Sequence, residues 1–174
     1  MDYDQVLKSA KKRLGPICSV CKECNGIVCR GRVPGVGAKG TGSGFIRSYE
    51  YLSQVKIVMD TIYEETGHDT SIELFNRTFS APIFAAPIGG MDINYGGVIS
   101  EIEFATAVVT GTAKAGCAAF TGDGADDKYF NDPLIPIKNV GGIGIPTIKP
   151  WNNKKVLEKI KAAEKIGVLG FAMD

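Results

Sequence analysis

The second half of the chain contains four short runs of apolar residues that do not alternate with polar ones. They are Pro82–Ile88, Cys117–Thr121, Ile143–Ile148 and Val168–Met173, each with a glycine at one or both ends. Such runs are typical of strands buried on both faces of a parallel sheet, because alternation marks strands with one solvated face. The runs therefore predict an α/β fold, either a doubly wound open sheet or a (β/α)₈ barrel.

The segments between these runs have different helical signals. Glu101–Ala115 follows Ser100, a plausible N-cap, and Glu103 completes a capping box with it. Asn152–Ile166 begins at an asparagine cap and ends before a glycine, which predicts a second helix. Asp126–Ile137 is interrupted by proline, so we expect only an irregular connection there. The order of strand, loop and helix predicts parallel β/α units.

The first part of the chain lacks this repeat of strand, loop and helix. Tyr3–Leu14 has the apolar spacing of a helix, and Phe45–Val58 predicts a second helix or an extended lead-in. Ser71–Leu74 predicts one short strand. We therefore expect an irregular N-terminal segment, residues 1–80, followed by an α/β segment, residues 81–174.

Charge and hydropathy exclude several classes of partner. The 20 basic and 19 acidic side chains give a net charge of +1, which does not indicate a nucleic-acid-binding surface. Charges of both signs alternate over residues 154–165, as is typical of a solvated helix face. The N-terminus has no apolar signal segment, and no apolar run is long enough to cross a membrane. We therefore expect a cytoplasmic protein with reduced cysteines.

Four cysteines near the N-terminus are closely spaced. Cys18, Cys21, Cys24 and Cys29 form the pattern C-x₂-C-x₂-C-x₄-C, and Gly26 permits a turn before the last of them. Four thiolates at this spacing fit a tetrahedral Zn²⁺ site or an iron–sulfur cluster. The pattern specifies neither metal, and free thiols or their oxidation products remain a third interpretation.

The α/β segment resembles the FMN-dependent α-hydroxy-acid oxidising enzymes, the glycolate oxidase and lactate oxidase group. The matching segments are similar to that family's first barrel strand, first helix, third helix and fourth strand. In that order they are Ser80–Gly90, Glu101–Ala107 with Lys114–Gly116, Ala163–Gly167 and Gly170–Asp174. The resemblance implies a (β/α)₈ TIM barrel, of which this chain holds about the first four β/α units. The C-terminal half-barrel would be supplied elsewhere, or a homo-oligomer would complete the fold.

The resemblance also implies residues that bind FMN at the carboxyl ends of the strands, where barrels hold their active sites. These residues are Pro87, Ile88, Gly89, Thr121, Gly122, Thr147 and Lys149. A lysine beside the flavin would stabilise the reduced, anionic ring. The sequence departs from the family in the third strand, where Pro146–Pro150 replaces a segment with a tyrosine, and at Ala172, where threonine is usual.

For the whole protein, the resemblance implies oxidation of an α-hydroxy acid such as lactate or glycolate by hydride transfer to FMN. In that family the histidine base and the substrate-binding arginine lie in the C-terminal half-barrel. The only histidine here, His68, matches no family motif, so we expect no catalytic residue in this chain and no turnover by it alone. One alternative is a flavin-barrel isomerase of the type 2 isopentenyl diphosphate isomerase kind. The other is a non-catalytic half-barrel whose cysteines bind metal or transfer electrons.

Overall fold

The computed structural model describes residues 2–15, 17–31, 40–59, 61–62, 64 and 67–174. The chain packs as two compact units. The first comprises Met1–Gly67 with Asp92–Val98, and the second comprises His68–Met91 with Ile99–Asp174. This division differs from the expected ranges, 1–80 and 81–174, because the residues just before Ala81 pack with the second unit.

The first unit contains two helices of matched length. Helix α1 spans Tyr3–Leu14, as its apolar spacing predicts, and Asp2 caps it by accepting a hydrogen bond from the Gln5 backbone N–H at 2.8 Å. Helix α2 spans Ser43–Gln54, after which the backbone becomes extended at Val55. Neither helix has a fully buried side chain.

The second unit contains all the strands among the described residues. An antiparallel hairpin, β1 and β2, precedes a four-stranded parallel sheet of order β3-β4-β5-β6. The strands are β1 Ile72–Leu74, β2 Arg77–Phe79, β3 Phe84–Ala85, β4 Ala118–Thr121, β5 Ile145–Ile148 and β6 Ala172–Met173. The expected α/β class with a parallel sheet is confirmed, and each apolar run forms one strand shorter than the run.

Helices connect successive strands of the sheet. They are α3 Met91–Asn94, α4 Glu101–Lys114, α5 Lys128–Asn139 and α6 Asn153–Lys165. The predicted capping box of α4 is present, because the Ser100 side chain accepts from the Glu103 backbone and Glu103 accepts from the Ser100 backbone. The predicted cap of α6 is also present, since Asn152 accepts from the Lys155 N–H at 3.0 Å.

The expectation of an irregular connection before β5 was wrong, because helix α5 forms there. Pro133 and Pro136 lie inside this helix, where each costs about 3 kcal/mol by removing a backbone donor and crowding the preceding turn. Both prolines are buried, and so are Phe130 and Ile137 on the same helix. Packing of this apolar face against the sheet and the other helices outweighs the backbone cost.

The packing defines two faces of the parallel sheet. Ala119 and Ile148 belong to the buried clusters that join the strands to α4, α5 and α6. Because side chains alternate along a strand, the register assigns the remaining positions. The helix face comprises Ala85, Ala119, Thr121, Pro146 and Ile148. The opposite face comprises Phe84, Ala118, Phe120, Ile145, Thr147 and Ala172.

Within the described ranges, none of the helices combines the length and the apolar character needed to traverse a lipid bilayer.

Candidate functional site

Thr147 lies on the sheet face opposite the helices, next to the last residue of β5. It is 6% exposed, and its hydroxyl makes no hydrogen bond with any described residue. An unsatisfied buried hydroxyl costs roughly 1–3 kcal/mol, and such groups in native proteins are usually completed by a bound molecule or water. Thr147 is therefore a polar group to which a ligand on this face can bind.

Lys149 follows on the same face of β5, just beyond the end of the strand. Its Nζ donates to Asp174 Oδ2 at 2.6 Å, and the two side chains are 42% and 58% exposed. Ion pairs at this exposure contribute about 0–1 kcal/mol to stability, because water screens both charges. The pair places the partly neutralised Lys149 ammonium group at the carboxyl edge of the sheet, where Thr147 also lies.

Asp123 organises this edge from the loop after β4. Its side chain is fully buried, and Oδ2 accepts from the Lys149 backbone N–H at 3.0 Å and from Trp151 Nε1 at 2.7 Å. Oδ1 accepts from Lys159 Nζ at 3.1 Å and from the Gly124 N–H at 2.8 Å. One carboxylate thus joins the ends of two strands to helix α6 and fixes the backbone from which the Lys149 side chain extends.

The environment of Asp123 favours its charged form. Burial by itself raises the pKa of this carboxyl, but hydrogen bonds from the Lys149 backbone, Trp151, Lys159 and the Gly124 backbone together lower the pKa below its ordinary value. Asp123 is therefore ionised near neutral pH, and its charge is balanced by the buried ammonium group of Lys159.

Two glycines at the strand ends lie in direct contact. A Cβ on Gly122 would lie 2.7 Å from the backbone N of Gly89, so the loop after β4 has no space for a side chain at Gly122. Glu101 holds the loop after β3, because its Oε2 accepts from the Gly90 and Met91 N–H groups at 2.9 Å each. Gly89, one of the residues that the resemblance implies bind FMN, is therefore packed against Gly122.

The other expected flavin contacts lie in different environments. Pro87 and Ile88 are exposed after β3. Thr121 is buried on the helix face, and its hydroxyl also has no partner among the described residues. The structure therefore brings Thr147 and Lys149 to one face of the sheet and places the Thr121 side chain on the other.

The four clustered cysteines lie in the first unit. All are free thiols, and the thiol of Cys24 interacts electrostatically with Cys18, Cys21 and Cys29. Burial raises the pKa of Cys24, and the charges of the three neighbouring thiols raise this pKa further. Burial likewise raises the pKa of Tyr95, with smaller contributions from Cys18 and Cys24. Across the described residues, no group of three or more His, Cys, Asp or Glu side chains is already arranged as a metal site.

The sequence did not identify Asp123 or Lys159 as site residues. We expected Lys159 on a solvated helix face, but only 7% of its side chain is exposed, and it lies 3.1 Å from Asp123 and 3.3 Å from Asp127. The position of Asp123 was an available signal, since polar residues directly after parallel strands meet at the ligand-binding edge of such sheets.

Comparison of the chain with protein-family models, with curated proteins and with solved structures finds no match.

Proposed function

We propose that this chain forms the flavin-ring wall of an FMN-dependent barrel that oxidises an α-hydroxy acid to the 2-oxo acid. The observation that carries the proposal is the buried hydroxyl of Thr147, which has no partner among the described residues, at the carboxyl edge of a parallel sheet where Lys149 also lies. Ligands of α/β folds bind at this edge.

The order of the strands supports a barrel over a doubly wound sheet. A doubly wound sheet reverses its strand order at a switch point, whereas successive strands of a barrel lie side by side. Here β3, β4, β5 and β6 are neighbours in chain order and all pairs are parallel. Right-handed crossovers between such strands place every helix on one face, as in the outer ring of a TIM barrel.

The residues of the opposite face suit an isoalloxazine ring, which is flat and apolar with polar atoms along one edge. Phe84 and Phe120 form an edge-to-face pair with centroids 6.2 Å apart, next to the apolar positions Ala118 and Ala172. The hydroxyl of Thr147 can donate or accept a hydrogen bond at the polar edge of the ring. This combination of apolar surface with few polar groups is typical of cofactor sites.

Lys149 and Asp174 then set the charge beside the ring. When bound, FMN accepts a hydride from the substrate, and its reduced ring carries negative charge. Lys149 can stabilise that charge, and its ion pair with Asp174 keeps the site close to neutral while the flavin is oxidised. Asp123 holds the Lys149 backbone, so the ammonium group is attached to a fixed strand end.

Flavin binding by the 174-residue chain tests the proposal, with FMN and lumiflavin as probes. We expect both to bind with similar affinity, because the residues above contact the ring and not the phosphate. Thr147→Val should raise Kd about 3- to 10-fold through the loss of one hydrogen bond. Fluorescence quenching measures binding of both probes.

Thr121→Val is the matched control. It removes another buried, unpartnered hydroxyl of the same sheet, but from the helix face, so we expect it to leave Kd unchanged. Absence of flavin binding, or an equal loss in both variants, would contradict the proposal.

A further inference from the structure

We propose that Cys18, Cys21, Cys24 and Cys29 together bind one thiophilic metal centre through four thiolates. The ligand chemistry is the same for a single Zn²⁺ ion and for an iron–sulfur cluster, and both accept tetrahedral thiolate coordination. The inference is independent of the flavin proposal, since the two sets of residues lie in different units.

The backbone of the cysteine loop reverses direction twice. Val20 has φ of 46° and Gly26 has φ of 79°, both in the left-handed region that chains adopt at tight turns. A side chain at Gly26 would overlap the ring of Phe45, so the second turn is packed against helix α2. These turns fold the loop that carries the four cysteines back on itself.

The four thiols are also available as metal ligands. None of the five cysteines forms a disulfide, so every sulfur of the cluster is free to coordinate. The Val20 N–H donates to Cys18 Sγ at 3.4 Å, and hydrogen bonds of this kind tune metal–thiolate sites. Lys22 and Arg30 lie beside the cluster in the sequence and offset the net negative charge that four thiolates leave on either centre.

Binding requires a local rearrangement of side chains. Cys29 Sγ lies 3.9 Å from the Gly26 carbonyl oxygen as a thiol donor, and coordination would replace this contact. In the part of the chain that the structure describes, no three of the four sulfurs are arranged to hold a metal ion. Metal sites made from one short loop commonly assemble in this way, with loss of the thiol protons and ordering of the loop as the metal binds.

Titration of the reduced 174-residue chain with Co²⁺ under anaerobic conditions tests the inference. Tetrahedral cobalt thiolates have intense visible absorption, so we expect saturable thiolate bands at one Co²⁺ per chain. Cys24→Ser should weaken binding at least as much as the loss of an outer-shell partner does, which is roughly 10- to 100-fold. Cys117→Ser is the matched control, because Cys117 lies outside the cluster in the second unit, and it should titrate like the parent chain.

Metal analysis of protein isolated without added metal then distinguishes the two centres. Zinc alone identifies a mononuclear site, and iron with acid-labile sulfide identifies a cluster. Isolation with neither metal, the absence of thiolate bands, or equal Co²⁺ affinity in Cys24→Ser and the parent chain would each overturn the inference. Circular dichroism of each variant confirms that the helices are retained.

Discussion

At the scale of single residues, Asp123 connects several elements of the second unit through one side chain. Its two oxygens accept four hydrogen bonds, one of them from a buried ammonium group. Removing one partner of a buried pair leaves the other charge without compensation, which is more costly than never having had the pair. The two members of the pair are not equivalent here, because Asp123 accepts three further hydrogen bonds, whereas the other anion near Lys159 is the exposed carboxylate of Asp127 at 3.3 Å.

We therefore predict that Asp123→Asn lowers the free energy of unfolding by about 3 kcal/mol at pH 7. Asparagine keeps the shape but turns a donor toward groups that already donate. Lys159→Met, the matched variant, should cost less, since Asp123 keeps three other donors. Urea unfolding measures both, and an equal or larger loss in Lys159→Met would contradict this account.

The contribution of Asp123 to the free energy of unfolding should depend on pH. Because folding lowers the pKa of Asp123, its contribution is complete above the ordinary value of 3.8 and is lost as pH falls through the folded-state value. The difference between Asp123→Asn and the parent chain should therefore shrink in acid. A difference that grew on acidification would contradict the lowered pKa.

Residues at strand ends were the part of the site most accessible from sequence. Thr147 lies near the end of an apolar run and Lys149 directly follows that run, and the rule that barrel sites lie at carboxyl ends makes both of them candidates. The burial of Lys159 was not accessible, because the charge pattern of a helix face does not show which lysine faces a carboxylate in a distant loop.

At the scale of elements, the contact between the loops after β3 and β4 depends on missing side chains. We predict that Gly122→Ala destabilises the protein by about 1–3 kcal/mol, because the added methyl must separate two backbones. Gly111→Ala, inside α4 with no neighbouring atom within 4 Å, should instead stabilise by about 0.5–1 kcal/mol. Thermal unfolding measures the change in stability of both variants. An unchanged stability in Gly122→Ala would show that the two loops can move apart without cost, which would contradict this account.

Element boundaries show where sequence reasoning was sufficient. Helices α4 and α6 followed from local caps, Ser100 with Glu103 and Asn152, because those signals lie within a few residues of each other. Helix α5 did not, because its formation depends on burial of Pro133 and Pro136 by other elements. The low helix propensity of proline disfavours this helix in isolation, but tertiary packing stabilises the helix in the folded protein.

At the scale of the whole molecule, the position of the only histidine bears on activity. His68 is exposed, and Thr70 nearby donates to the Ser80 carbonyl, while the Ser80 N–H donates to Gly116 just before β4. His68 thus lies toward the amino ends of the strands, whereas Thr147 and Lys149 lie toward the carboxyl ends.

We accordingly predict no turnover of lactate or glycolate by this chain with added FMN, because its single histidine lies away from the proposed flavin wall and the resemblance implies a histidine base. Formation of the 2-oxo acid is the measured quantity. The expected result is flavin binding without turnover. If the chain did turn over substrate and His68→Ala abolished that activity, the conclusion that His68 has no catalytic role would be wrong.

The buried prolines of α5 have a consequence for the order in which the chain assembles. Isolated helices of about this length are marginal in water even without proline, and each proline removes a further backbone bond. The segment therefore cannot become helical in advance of its surroundings. Helix α5 packs against α4 and β4, which precede it in the chain, and against β5 and α6, which follow it, so we expect this stretch to become helical only as those elements pack on it.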